Sequence, residues 1–282
     1  HLQRRRPVSQ GLQVLRGLAL ASALAWTPAC KVPDLLERAR RARDANLEPP
    51  PTDAVPEGPG SVPVADGADW IQLRERTAPD LVLFETARLL VEARDAANQR
   101  DASRPRQVIV NKRTDIARAA AADGVHLGFD ALGPGAIRAA FGTKVNVLAG
   151  RSLHDLAEVA HLAQESGVAH CSTESVSGYG RHFGRVAYIH LAPIWAPNSK
   201  PASRPPLGLE ILASACRLGI PVFAQGGIDP SRAREAVSAG VTGVAVTGEL
   251  ARGGSPAKQL EPIRAALDRA YADQEPEKRL SR

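Results

Sequence analysis

The sequence predicts an α/β fold, a (β/α)8 TIM barrel, on three observations. After Trp70, short apolar runs alternate with longer amphipathic runs through most of the chain. The apolar runs are rich in Val, Ile and Leu, as parallel strands covered on both faces are. No glycine-rich phosphate loop follows the first strand, where an open doubly wound sheet would place one.

The elements follow in order. Leu12–Ala25 supplies the first strand and its flanks, and a helix from about Pro33 to Arg43 completes that unit, with proline at its first turn. Arg4–Arg6 ahead of the apolar Gly11–Trp26 also resembles a signal peptide, but Arg16 interrupts the run and no stretch reaches the length of a membrane span. Glu48–Val64 is rich in Pro and Gly and reads as an insertion. Seven strands then follow at Trp70–Leu73, Gln107–Val110, Gly124–Leu127, Lys144–Ala149, Val186–Leu191, Pro221–Ala224 and Gly243–Thr247. Helical patterns separate them at Pro79–Asn98, Thr114–Ala122, Pro134–Phe141, Leu153–Gln164, Leu207–Leu218 and Pro230–Ala239, and Pro256–Tyr271 closes the series. In the first of these, Leu81, Phe84, Leu89 and Val91 form the apolar stripe. Gly167–Gly184 exceeds a normal loop and reads equally as a lid or an excursion. The domain division is thus 1–69, an N-terminal region, 70–275, the barrel, and 276–282, a tail.

Composition narrows the function classes. Apolar residues are 44% and charged residues 23%, enough for a buried core. The net charge of +6 suits an anionic small molecule in a positive cleft. Five Phe, three Tyr and three Trp are poor material for stacking bases, so nucleic acid is not expected, nor is a membrane. Cys30, Cys171 and Cys216 show no zinc spacing and read as buried thiols in a reducing cytoplasm. The chain starts at His1 and has no Met, which suggests a natural start further upstream.

In a barrel, chemistry sits where strands end. Strand alternation puts Gln72, Arg74 and Arg76 on one side, two guanidiniums and an amide suited to phosphate oxygens, or else an ion-paired strand end with Glu75. Asn111, Lys112 and Arg113 follow the third strand. His126 ends the fourth and reads more readily as a hydrogen-bonded core histidine than as a catalyst. Gly150, Arg151 and Ser152 follow the fifth, and a proline-fixed loop ending in Ser199 and Lys200 follows the sixth. Gly226, Gly227, Thr247 and Gly248 close strands seven and eight, the recurrent phosphate site of this fold, where backbone N–H groups and helix N-termini favour anions. The physical reading is two anion sites across one mouth, and hence phosphorylated small-molecule substrates. A homo-oligomer is compatible with all of this.

Jointly these residues resemble the thiamine phosphate synthase and thiazole tautomerase superfamily over roughly Trp70–Leu250. The resemblance rests on Gln72–Arg76, Asn111–Arg113, Asp123–Gly128, Gly150–Ser152, Ala192–Lys200, Pro206–Glu210, Ile220–Ile228 and Gly243–Thr247. It implies a synthase that joins hydroxymethylpyrimidine diphosphate to thiazole phosphate with Mg2+ and releases diphosphate. Gln72, Arg74, Arg76, Asn111, Lys112, Ser152, Ser199 and Lys200 would hold the diphosphate. Among them Lys200, Arg74 and Ser152 would act at the reacting bond. Gly226, Gly227, Thr247 and Gly248 would hold the thiazole phosphate. One expected metal aspartate falls on Lys112 and the other on Ala131, with Asp130 beside it as a metal ligand. These departures leave two alternatives, a thiazole tautomerase-like isomerase, whose catalytic histidine falls on Pro193, and a non-catalytic phosphate-ligand-binding homologue.

Overall fold

A computed structural model describes residues 17–21 (backbone only), 68–74, 78–128, 136–137, 141, 147–165, 186–196, 204–247 and 256–274. Seven consecutive parallel strands form its centre: β2 (Trp70–Leu73), β3 (Gln107–Asn111), β4 (Gly124–Leu127), β5 (Leu148–Leu153), β6 (Tyr188–Leu191), β7 (Val222–Gln225) and β8 (Gly243–Ala245). β1 (Gly17–Ala21) runs parallel to β2 and to β8, pairing Ala19 with Trp70 and Gly17 with Gly243. The described helices are α1 (Asp80–Arg100), α2 (Thr114–Ala119), α3 (Leu156–Glu165), α4 (Gly208–Cys216), α5 (Pro230–Ser238) and α6 (Pro256–Asp273). None is long and apolar enough to cross a membrane.

Strand alternation divides the core in two. Ile71, Leu73, Val108, Val110, Val125, Ile189, Leu191, Val222 and Val244 face the helices. Trp70, Ile109, Tyr188, Phe223 and Ala245 face inward and form a second cluster. The sheet curls far enough that the rings of Trp70 on β2 and Tyr188 on β6 meet edge to face at 5.0 Å. Gly150 makes this possible. A Cβ there would lie 2.1 Å from the Tyr188 ring, so no larger residue leaves room for the tyrosine.

Several details differ from the sequence reading. The fifth strand, expected at Lys144–Ala149, runs on through Leu153, with 144–146 outside the described residues, because pairing with β6 continues through Arg151 with Ile189 and Ser152 with His190. Ser152 is therefore a strand residue, not a loop residue. Asn111 likewise ends β3 instead of following it. On α1 Leu89 and Val91 of the expected stripe are buried, together with Leu83, Ala87, Leu90 and Ala97, whereas Leu81, in the first turn, is 66% exposed. The helix of Pro33–Arg43, the Gly167–Gly184 excursion and most of Pro134–Phe141 lie outside the described residues.

Charge anchors the end opposite the site. Asp69, just before β2, pairs with Arg264 of α6 and lies 3.8 Å from Arg104, while Arg264 also reaches Asp268. Asp123, just before β4, accepts from Arg94 of α1 and from the Val108 amide at 2.7 Å.

Candidate functional site

Moving along each strand toward its C-terminal end, the inward positions turn from aromatic to polar. Gln72 follows Trp70, Asn111 follows Ile109, Ser152 follows Gly150, His190 follows Tyr188 and Gln225 follows Phe223. Gln72 Nε2 donates to Asn111 Oδ1 at 3.1 Å, so the structure brings together two of the predicted site residues. Gln72 Oε1 is left buried with no partner among the described residues.

His126 sits at the middle of this layer. Its Nδ1 lies 3.2 Å from Tyr188 Oη and its Nε2 lies 2.8 Å from Ser152 Oγ. The His190 ring lies against it, tilted by 35°, with centroids 4.3 Å apart. Both histidines are 2% exposed. Burial first, then the neighbouring charges of His190 and Arg74, holds His126 well below its ordinary pKa. Burial and Arg74 likewise hold His190 down to about 3. Both imidazoles are therefore neutral at neutral pH and lie within electrostatic reach of Arg74. Burial alone pushes the Tyr188 hydroxyl up, so it stays protonated.

Lys112 extends beyond this layer. Its φ is 60°, the left-handed region that few non-glycine residues occupy. The turn holds it there: its amide donates to the His126 carbonyl at 2.9 Å and its carbonyl accepts from Thr114 at 3.0 Å. Its side chain is exposed at the strand end, and neighbouring Arg113 pairs with Asp80 at 2.5 Å and Asp115 at 2.6 Å.

The second candidate anion site lies after β7. Gly226 and Gly227 have φ of 98° and 64°. Their carbonyls are engaged, Gly226 O with the Trp195 amide at 3.3 Å and Gly227 O with Arg232 Nη1 at 2.7 Å. No hydrogen bond from either glycine amide is seen among the described residues. α5 begins immediately beyond, with Asp229 capping the Arg232 amide at 2.9 Å and Pro230 in its first turn. Unpaired amides beside a helix N-terminus form a cup suited to an anion. The same stretch clasps the loop after β6, since Ile194 donates to Gln225 O at 2.9 Å and Arg232 lies over the Trp195 ring at 5.9 Å. His154 Nδ1 also donates to the Ala192 carbonyl, at 2.8 Å.

Of the other predicted site residues, Thr247 is described just after β8, while Arg76, Asp130, Ser199, Lys200 and Gly248 lie outside the described residues. No group of three His, Cys, Asp or Glu that could hold a metal occurs among the described residues. Tyr188, Trp195 and Arg232 were not among the predicted site residues. Period-two alternation would have found Tyr188, because it shares parity with the inward His190. Nothing local in the sequence marks Arg232.

Comparison with known proteins agrees with this architecture. A family model described as Thiamine monophosphate synthase matches residues 62–178 and 179–250. The thiamine-phosphate synthase of Mycolicibacterium smegmatis is 32% identical over 211 residues, covering 73% of this chain and 83% of that protein. A putative thiamine-phosphate synthase of Geobacter sulfurreducens is 30% identical over 205 residues, covering 72% and 83%. A solved thiamine phosphate pyrophosphorylase from Pyrococcus furiosus superposes with a TM-score of 0.60 at 21% identity, over 92% of this chain and 98% of that one.

Proposed function

The chain belongs to the thiamine monophosphate synthase family, and from that membership we propose that it is a transferase joining hydroxymethylpyrimidine diphosphate to thiazole phosphate, with release of diphosphate. The observation that carries this reading is the arrangement of the two anion sites. Arg74, just after β2, acts electrostatically on the buried histidines of the polar layer, and a glycine cup at a helix N-terminus follows β7, three strands round the sheet from His126.

The reaction breaks the bond between the pyrimidine methylene and the diphosphate oxygen, which leaves with the electron pair. The thiazole nitrogen then forms the new carbon–nitrogen bond. Charge accumulates on the leaving diphosphate, so preorganised cations and donors favour the transition state over the ground state. In this reading Arg74, Arg76, Lys112, Ser199 and Lys200 take up that charge. Gln72, Asn111 and Ser152 fix the geometry beneath it. Gly226, Gly227, Thr247 and Gly248 hold the thiazole phosphate. Neutral His126 and His190 suit the role, because a buried imidazolium would repel the developing carbocation.

The described residues do not make a Mg2+ site. Mg2+ requires oxygen ligands. At the end of β3 the amide of Asn111 is already engaged with Gln72, and Lys112 presents an ammonium, which cannot ligate. In this reading a metal would be brought by Asp130, which stands beside Ala131 in the sequence.

The reading includes the complete (β/α)8 barrel over 70–275, with the N-terminal region of 1–69 supplying its first strand. What supports it is the register of β1 with both β2 and β8. The deciding experiment is incubation with both precursors, with and without Mg2+, followed by detection of thiamine phosphate. No product in either condition would leave a ligand-binding homologue.

A further inference from the structure

Toward the C-terminal ends of the strands, two buried polar atoms have no hydrogen-bond partner among the described residues, Gln72 Oε1 and His190 Nε2. A buried polar group without a partner is costly, so one aimed at a candidate site points to a ligand. His190 is the less explained of the two. Its neighbour His126 has both ring nitrogens engaged, whereas no hydrogen bond to His190 is seen among the described residues. The side chain points inward, because its ring meets His126 of β4 at 4.3 Å, Tyr188 at 5.4 Å and Phe223 of β7 at 5.9 Å. It lies one inward position nearer the strand ends than Tyr188, at the boundary where the aromatic floor gives way to polar groups. Aromatic floor below, an unused ring nitrogen at its edge and a guanidinium near enough to act on it together describe a slot for a planar ring with an anionic arm.

We propose that His190 is a specificity-determining residue that hydrogen-bonds, through Nε2, the nitrogen heteroaromatic ring whose phosphoryl arm Arg74 holds. On the synthase reading above, on which this rests, that ring is the pyrimidine. Because the imidazole is neutral, Nε2 can donate or accept according to tautomer, and it pairs with a ring nitrogen or an exocyclic amine accordingly. Tilted contacts with the rings of His126, Tyr188 and Phe223 confine the imidazole, so discrimination is geometric as well as polar. His190 thus reads the ring, while the cations above it read the phosphates.

Two measurements test this. Long-range proton–nitrogen correlation spectra of 15N-histidine-labelled protein, assigned with His190→Phe, follow the His190 nitrogens during titration. The probes are hydroxymethylpyrimidine diphosphate, unphosphorylated hydroxymethylpyrimidine and inorganic diphosphate. The His190 Nε2 signal should move with both pyrimidine probes and stay in place with inorganic diphosphate. By calorimetry, His190→Phe keeps a ring on His126 but loses the nitrogens. It should weaken the pyrimidine diphosphate about tenfold while changing inorganic diphosphate by less than about twofold, and His190→Gln should recover part of the loss. An unmoved Nε2 signal in all three titrations overturns the proposal, as does an equal loss for both diphosphates, which would make His190 a structural support for the cations. If the parent forms no thiamine phosphate yet shows the expected pattern, the synthase reading fails and the role of His190 stands. If the parent forms product and His190→Phe binds the pyrimidine diphosphate as tightly, the role of His190 fails alone.

Discussion

Ser152 Oγ lies 2.8 Å from His126 Nε2, and this contact ties β5 to β4 directly beneath the proposed diphosphate site. Both nitrogens of His126 are used inside the protein, so the residue is a scaffold that orients Ser152 instead of a base awaiting a substrate. Ser152→Ala should cost about 1 kcal/mol of stability, the net value of one hydrogen bond with its partner left buried. Urea denaturation measures this. A variant as stable as the parent would mean that a water replaces the hydroxyl.

The two neutral histidines set an acid limit. Both folded pKa values lie below the ordinary value of 6.5. The unfolded chain therefore binds more protons as pH falls below about 6.5, and stability falls with it. The contribution is fully present above that pH and is lost progressively down to about 3, where His190 protonates in the folded state. Each histidine contributes a slope of roughly 1.4 kcal/mol per pH unit in that window. Chemical denaturation from pH 7 to pH 5 should show a steepening loss, and His190→Phe should reduce the slope by about half. A flat profile would place hydration at these rings.

Asp69 should matter for folding and not for chemistry. It is buried, and Arg264 and Arg104 both face it at the end of the sheet away from the site. Removing one partner strands the other's charge, so Asp69→Asn should cost about 3 kcal/mol, with thermal denaturation as the measurement. Activity per folded molecule should be unchanged.

Much of this was legible in the sequence, and the failures have physical causes. Trp70–Leu73 and Gly124–Leu127 match because each is a short, mostly apolar run that begins directly after an aspartate, Asp69 or Asp123. The fifth strand was displaced because Arg151 and Ser152 look like loop residues, and only the pairing with Ile189 and His190 reveals that they continue the ladder. Leu81 alone of its stripe fails, because Leu89 and Val91 are buried while the helix's first turn projects past the packed surface. The Gln72–Asn111 bond joins residues 39 positions apart, which no local pattern encodes. The orphan nitrogen of His190 is likewise a property of packing alone.

Gly227 carries a heavier constraint than its N–H. From sequence, Gly227→Val should block the amide while leaving the fold largely intact. The structure corrects this, because a Cβ would lie 2.4 Å from the Ala196 carbonyl and 2.9 Å from Trp195 Cβ, at a φ of 64°. Gly227→Ala should therefore push the loop after β6 outward, cost about 1–3 kcal/mol through the left-handed backbone and the clash, and weaken thiazole phosphate binding through both loops. Calorimetry with thiazole phosphate, alongside thermal denaturation, separates the effects. Unchanged affinity in a folded variant would remove the cup from the site.

Lys112 makes the sharpest prediction about the metal. It sits where the resemblance expects a carboxylate, at the strand end, in a left-handed conformation that aspartate tolerates better than lysine. One ammonium offsets a single charge and cannot organise oxygens octahedrally, so diphosphate binding should depend only weakly on Mg2+ and turnover should be slow. Lys112→Asp alone should leave stability unchanged or slightly raised, because the backbone strain falls. Combined with Ala131→Asp, it should make diphosphate affinity rise steeply with Mg2+ concentration. The measurement is diphosphate affinity by calorimetry across a Mg2+ series, in the parent and in the double variant. A parent whose affinity already climbs steeply with Mg2+ would assign the metal to Asp130 or another carboxylate. The role given to Lys112 would then pass from replacing the ion to assisting it.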